Sequence, residues 1–355
     1  MGTKTYFAIT AVIITAFVVV VMLPTKTNMV KPADTVSTPD DFGQMIQFDE
    51  EDKQYGDLIL VNYQTKYPIK PEKELTLANV YNEKRESYQV KDKSVYLAAR
   101  IIYPLNRMLN QFHKVSELST TVILSGYRTR DYQKNLYNED VEQNGEQHAS
   151  EYVANPGFSE HHIGLAIDLG IQFSDGTMSS FGNTNNEVWI RKNGHKYGFI
   201  KRYPDDKSSL TGIAGETWHY RYVGLPHAYY INKNKICLEE YLAFIQNNAT
   251  STFPLTIKYR NTEYNIYYTR ENSIRLPENV FYNVSGDNQG GWIVTTTAEE
   301  DAFVIPPMNT TYDNKESVHP MSVASGGAVY GISGSVITAD SISESSISEE
   351  DEILE

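Results

Sequence analysis

Hydrophobic positions change their spacing several times along this 355-residue chain. Apolar residues recur at three- and four-residue intervals over 96–115, which predicts a helix that Pro104 kinks or delays. Apolar runs at 58–61 and 121–125 predict short strands, and 130–138 predicts a second helix. Between 163 and 169 apolar side chains alternate with small or acidic ones, which predicts a strand whose second face is bare except for Asp168. Trp218, Tyr220 and Tyr222 indicate another strand at 216–224.

Alternation returns in the last third of the chain. Segments 255–259 and 264–268 predict one β-hairpin, and 279–284 with 292–296 predict a second. We therefore expect a small β-meander at 251–303, followed by a disordered Ser/Gly/acidic tail at 304–355. Four tyrosines of this unit are assigned to packing, with a binding stripe as the alternative: Tyr259, Tyr264, Tyr267 and Tyr268.

The N-terminus carries eighteen uncharged residues at 6–23, enough for a helix of about 27 Å. This pattern predicts a transmembrane signal-anchor at 1–24 and a flexible linker at 25–55, which leaves 56–247 as the main domain. The alternative is a cleaved signal peptide. Against cleavage, the apolar run exceeds the usual length and ends without a small-residue cleavage site.

Composition narrows the function. Acidic residues outnumber Lys and Arg by 45 to 31, for a net charge of −14, so nucleic-acid binding is not expected. Cys237 is the single cysteine, which excludes an internal disulfide and a cysteine-based zinc cluster.

Three stretches carry residues suited to chemistry. They are Ser125-Gly126-Tyr127-Arg128, then Ser159-Glu160-His161 with Asp168 seven residues later, then Glu216-Thr217-Trp218-His219. Two histidines and one carboxylate suffice to hold zinc with one position open for water. Each stretch alone also has a structural interpretation, in which Asp168 caps a turn, His161 is exposed to solvent and Arg128 lies on the surface.

Taken together and in this order, the stretches resemble the zinc carboxypeptidases that trim peptidoglycan stem peptides, the VanY-like D-alanyl-D-alanine carboxypeptidases of the peptidase M15 family. The resemblance covers about residues 56–247. It implies an α+β fold, a mostly antiparallel sheet with helices on one side. It also implies one Zn²⁺ held by His161, Asp168 and His219, Glu216 as catalytic base, Arg128 as transition-state stabiliser, and Ser159 and Gln133 facing the substrate. His162 is an alternative ligand.

The resemblance implies a membrane-anchored zinc carboxypeptidase that removes the C-terminal D-alanine from peptidoglycan stem peptides or lipid-linked precursors. We expect a monomer in the cell membrane, with its catalytic domain on the cell-wall side. Three alternatives remain open at this stage: an L,D-carboxypeptidase, a peptidoglycan endopeptidase with the same site, and a non-catalytic wall-binding module. Sequence alone does not separate the first two from the main prediction, because the ligand set is shared.

Overall fold

The computed structural model describes residues 43–67, 75–116, 120–182, 185–303 and 329–332. The predicted anchor at 6–23 lies outside these residues, as do positions 25–42 of the predicted linker and most of the predicted tail. Within the described part of the chain, no helix combines the length and the apolar character needed to cross a membrane.

A six-stranded sheet organises the first two thirds of the chain. This part of the chain contains nine strands, β1 (Met45–Gln47), β2 (Leu77–Asn79), β3 (Gln89–Val90), β4 (Tyr96–Ala98), β5 (Thr121–Ser125), β6 (Ala166–Gln172), β7 (Met178–Ser180), β8 (Phe199–Lys201) and β9 (His219–Tyr222). Six of them, β3 and β5 to β9, form the sheet, whereas β2 pairs with β4. The sheet order is β3-β5-β6-β9-β8, and β7 pairs with the C-terminal end of β6. In this sheet only β3 and β5 run parallel, so the predicted mostly antiparallel sheet is confirmed.

The described residues contain eight α-helices. They are α1 (Val80–Glu83), α2 (Ile102–Ser116), α3 (Arg130–Asn144), α4 (Glu146–Tyr152), α5 (Asn185–Asn193), α6 (Ser208–Thr211), α7 (His227–Asn234) and α8 (Leu238–Asn248). The apolar stripe of α2, with Leu105, Met108 and Phe112, packs on the sheet face that carries Ile167 and Leu169. The α+β class is confirmed, with α2 on the apolar face and α3 and α4 beside a cavity on the other.

Three local predictions need correction. The helix expected over 96–115 begins at Ile102, because Tyr96–Ala98 pairs with β2 instead. Pro104 then lies in the first turn of α2, where proline is tolerated. Residues 58–61 are buried but form no strand, and the second helix continues to Asn144 rather than ending at 138.

The remaining strands are β10 (Leu255–Tyr259), β11 (Thr262–Thr269), β12 (Ser273–Arg275), β13 (Phe281–Gly286), β14 (Trp292–Thr297) and β15 (Val329–Ile332). All of them except β12 form the C-terminal β-unit, a five-stranded antiparallel sheet with order β10-β11-β14-β13-β15. Both predicted hairpins are confirmed. Two strands fall in segments expected to lack structure: β15 lies within the predicted tail, and β1 of the predicted linker pairs with β12.

Both faces of the β-unit are covered. Ile266 and Ile293 pack against α7 and α8 in a core that also includes Ile200 of β8. Trp292 and Val294 point to the opposite face, where Phe48 covers them. The tyrosines of the first hairpin take part in these two cores, and Tyr259, Tyr264 and Tyr267 are buried, as the packing interpretation requires.

Candidate active site

The first element of the site is a turn after β5. Gly126 lies against Tyr96, and a Cβ there would collide with the Tyr96 carbonyl oxygen, so the turn requires glycine. Thr129 then caps α3 by accepting the backbone N–H of Tyr132. Arg128 is held between this turn and this cap, with its guanidinium directed towards Asp168 on β6.

The second element is a 3₁₀ helix, Glu160–Ile163, which precedes β6. Ser159 caps it by accepting the backbone N–H of His161, and Gly164 ends it in a left-handed conformation. The predicted strand at 163–169 thus begins later, at Ala166, and His161 belongs to a helical turn. Asp168 lies directly opposite His219 in the β6–β9 ladder, so sheet register brings these two side chains together.

The three predicted ligands converge in the structure. Single donor atoms of His161, Asp168 and His219 all lie within 4.8 Å of one another, and all three residues are buried. Nε2 of His161 lies 3.3 Å from Oδ2 of Asp168, and Nδ1 of His219 lies 3.0 Å from Oδ1.

The second nitrogen of each ring is occupied elsewhere. Nδ1 of His161 donates to the carbonyl of Gly126, at 2.5 Å, and Nε2 of His219 faces Oε2 of Glu160, at 3.4 Å. A neutral imidazole has one donor and one acceptor nitrogen, so these contacts direct both acceptor nitrogens at one point. The donor set therefore suits a Zn²⁺ ion with a free coordination position.

His162, the alternative ligand, is directed away from this point. Its Nε2 accepts the backbone N–H of Gly157 and its Nδ1 donates to the carbonyl of Arg128. With both ring nitrogens engaged by backbone, His162 supports the loop beneath Arg128 and does not join the donor set.

Arg128 and Glu216 border the same point. Nη2 of Arg128 donates to Oδ2 of Asp168 at 2.6 Å, while its Nε donates to the Ser125 hydroxyl. Oε2 of Glu216 lies 3.6 Å from Nδ1 of His219, and its backbone N–H is held by the carbonyl of Tyr203.

The two predicted substrate-facing residues line the cavity but also have structural contacts. Gln133 donates from Nε2 to the carbonyl of Ala154 and accepts from Arg128, and the Ser159 hydroxyl accepts from the backbone of His161. Their contact with substrate stays a prediction.

The cavity above the donor set has a volume of about 340 Å³. Trp218, Tyr203 and Ile213 form its apolar walls, and it extends along α3 as far as Gln143. From Gln133 to Gln143 the helix rises about 15 Å, which is room for more than a dipeptide.

Burial and neighbouring charges separate the pKa values of the site. Burial raises the pKa of Glu216 to about 7. Burial also lowers the pKa of His161 to about 4, with Arg128 adding to the effect. For Asp168, burial alone would raise the pKa, but His161 and Arg128 hold it well below its usual range.

One buried charge next to the donor set has no predicted role from the sequence. Glu160 is completely buried behind His219, between Arg202 and Arg221. Burial alone would raise the pKa of Glu160, but the two guanidinium groups hold it well below its usual range. The only sequence signal was an acidic residue next to a candidate ligand, since both arginines lie in distant parts of the sequence.

The fold and the donor set are those of a zinc metallopeptidase. The family profile described as VanY, D-alanyl-D-alanine carboxypeptidase, matches residues 94–225 of this chain, a segment that contains all five predicted metal-binding and catalytic residues. The D-alanyl-D-alanine carboxypeptidase of Enterococcus faecium is 34% identical over 252 residues, covering 69% of this chain and 77% of the relative. This chain therefore belongs to the family of D-alanyl-D-alanine carboxypeptidases.

Two further comparisons agree with this assignment. The D-alanyl-D-alanine carboxypeptidase of Enterococcus faecalis is 35% identical over 209 residues, covering 55% of this chain and 68% of the relative. The solved structure of the vancomycin-resistance D,D-dipeptidase VanXYg, in complex with a D-Ala-D-Ala phosphinate analogue, superposes with a TM-score of 0.63 at 30% identity. That superposition covers 72% of this chain and 98% of VanXYg.

Proposed function

We propose that this enzyme removes the C-terminal D-alanine from peptidoglycan stem peptides, with one zinc ion held by His161, Asp168 and His219. The observation that carries the proposal is the convergence of these three donors within 4.8 Å at the end of a cavity that also contains Glu216 and Arg128. Zinc would supply a water whose pKa is lowered to about 7 and would polarise the substrate carbonyl.

Glu216 moves the proton in this scheme. As the bond between the carbonyl carbon and the D-alanine nitrogen breaks, the water oxygen joins the carbonyl carbon and Glu216 carries a water proton to the departing amine. A carboxyl with a pKa of about 7 suits both steps, because it accepts and releases a proton near neutral pH.

Arg128 stabilises the negative charge that develops on the carbonyl oxygen. Its guanidinium is positioned by Ser125, Gln133 and Asp168, so little reorganisation is needed when the charge appears. Gln133 thus acts through Arg128 as well as lining the cavity.

The cavity favours a peptide longer than a dipeptide. A bound dipeptide spans about 7 Å, whereas the lining residues on α3 continue for about 15 Å from Gln133 to Gln143. A stem peptide could therefore lie along α3 with its C-terminal residue at the donor set. This supports a carboxypeptidase acting on stem peptides over an enzyme restricted to free D-Ala-D-Ala.

Defined substrates test this proposal. The full chain, purified in mild detergent, is incubated separately with a pentapeptide stem ending in D-Ala-D-Ala, the matching tetrapeptide, a cross-linked stem dimer and free D-Ala-D-Ala, and products are identified by mass spectrometry. We expect pentapeptide to become tetrapeptide with release of D-alanine, a chelator to abolish the reaction, and added zinc to restore it. Conversion of tetrapeptide to tripeptide alone would show an L,D-carboxypeptidase instead, and cleavage of cross-linked dimers an endopeptidase.

We also propose that residues 6–23 anchor the enzyme in the cell membrane with the peptidase domain on the cell-wall side. The uncharged run of about 27 Å supports the anchor, and the location of peptidoglycan outside the membrane supports the orientation. Protease added to intact cells should degrade the domain. Protection until the membrane is permeabilised would contradict the orientation.

A further inference from the structure

We propose that Glu160 is a positioning residue for zinc binding, which holds the His219 ring so that Nδ1 faces the metal. The inference rests on the proposed function, since it concerns how this chain presents a ligand to zinc. Glu160 lies outside the donor set and acts only through His219.

The two nitrogens of the His219 ring face different partners. Nδ1 lies 3.0 Å from Oδ1 of Asp168 and 3.6 Å from Oε2 of Glu216, on the cavity side. Nε2, on the opposite side of the ring, lies 3.4 Å from Oε2 of Glu160. A carboxylate can only accept a hydrogen bond, so Glu160 keeps a proton on Nε2. Nδ1 is then the nitrogen that can give its lone pair to a metal placed between it and Asp168.

Glu160 can do this because its other oxygen is fixed. Oε1 accepts from Nε of Arg202 at 2.8 Å and from Nη1 of Arg221 at 2.7 Å, and all three side chains are fully buried. The carboxylate therefore cannot rotate without breaking two charged hydrogen bonds. Oε2 is the oxygen that remains for His219.

The two arginines are fixed in turn by other parts of the fold. Arg202 makes a bidentate pair with Glu239 of α8, at 2.6 and 2.9 Å. Arg221 donates to the backbone carbonyls of Asp57 and Ile59. Glu239 thus belongs to the same buried network but is separated from His219 by Arg202 and Glu160, which makes it a matched control.

The Glu160→Gln variant tests the role of the carboxylate. With Arg202 and Arg221 occupying the amide oxygen, the amide NH₂ would face Nε2 of His219, which would then accept a hydrogen bond and carry its proton on Nδ1. We expect zinc affinity, measured by chelator competition on the folded protein, to fall about 10-fold or more. The visible spectrum of the cobalt-loaded protein should change as well.

The control is Glu239→Gln, which also removes one charge from the buried network. We expect it to lower the melting temperature of the metal-free protein while leaving zinc affinity within about twofold of wild type. An equal loss of zinc affinity in both variants would show that Glu160 has only a structural role, and wild-type affinity in Glu160→Gln would equally overturn the proposal.

Two further measurements test the proposal if the Glu160→Gln variant does not fold. Glu160→Asp keeps the charge next to both arginines but withdraws the carboxylate from His219, and it should also bind zinc more weakly. In the zinc-loaded wild-type chain, imidazole NMR should show a proton on Nε2 of His219, and a deprotonated Nε2 would overturn the proposal. A wild-type chain that binds no zinc would overturn the proposed function itself.

Discussion

Two regions of the molecule have buried interiors of different composition. The metal-donor site of the six-stranded sheet buries charged and polar groups, whereas the five-stranded β-unit buries apolar side chains. Around His219, carboxylates, imidazoles and guanidinium groups are packed within hydrogen-bond distance of one another. In the β-unit, Ile266, Ile293 and Val294 fill two apolar cores. Burying charge costs free energy unless every group is paired, whereas burying apolar surface stabilises the fold.

Two buried glutamates at the site show how pairing with arginine changes the pKa of a carboxyl group. Burial raises the pKa of Glu216 to about 7, whereas Glu160, which is also buried, is held ionised by Arg202 and Arg221. Carboxyls with separated pKa values take separate roles. Glu216 can exchange a proton, and Glu160 can serve as a fixed acceptor. The two apolar cores of the β-unit serve stability, so substitutions in the two regions should differ in what they affect.

The largest effect on chemistry should come from the metal ligands. His161→Ala or His219→Ala removes one of three donors, so we expect loss of bound zinc and a fall in activity of more than about 10⁴-fold. Metal analysis of the purified variants checks the first effect and stem-peptide turnover the second. His113→Ala, on α2, is the control and should keep both. Full zinc occupancy in a ligand variant would contradict the assignment.

Glu216→Gln should separate chemistry from metal binding. The amide keeps the size of the side chain but cannot accept the proton, so we expect kcat to fall by about 10²–10⁴-fold while zinc content stays at the wild-type level. Glu263→Gln, on the exposed side of β11, serves as the matched control. Near wild-type turnover in the Glu216→Gln enzyme would remove Glu216 from its role as base.

Arg128→Ala should have a somewhat smaller effect on turnover. Loss of one donor to a developing oxyanion lowers kcat by about 10²–10³-fold. Arg128→Lys should recover only part of it, because an ammonium cannot reproduce the contacts to Ser125, Gln133 and Asp168. Steady-state kinetics on the pentapeptide measure both variants, and an unchanged kcat in the alanine variant would place Arg128 outside the reaction.

A substitution in the core of the β-unit should lower stability without changing catalysis or zinc binding. Ile266 is fully buried, so Ile266→Ala should lower the free energy of unfolding by about 2–5 kcal/mol and leave kcat and zinc content of the folded enzyme unchanged. Phe253→Ala, at a side chain that is 77% exposed, is the control and should change stability by less than about 0.5 kcal/mol. A loss of zinc affinity in the Ile266 variant would show that the two regions are coupled.

Prediction from the sequence succeeded where the signal is local. The alternating segments of the β-unit form the expected hairpins, and 121–125 forms the expected strand. Prediction failed where tertiary pairing overrides a local pattern. Residues 96–98 joined β2 instead of the helix, and 58–61 stayed a buried loop because hydrophobicity in a short run does not distinguish a strand from packed irregular backbone.

The sequence by itself determined which chemical groups are available: two histidines, an aspartate, a glutamate and an arginine at spacings that resemble one family. Tertiary structure decided how those groups face one another. The orientation of the His219 ring depends on Glu160, and the position of Glu160 depends on arginines that lie 42 and 61 residues further along the chain. Local patterns do not encode the orientation of a ring or the ionisation of a buried carboxyl, because both are set by partners that only folding brings within hydrogen-bond distance.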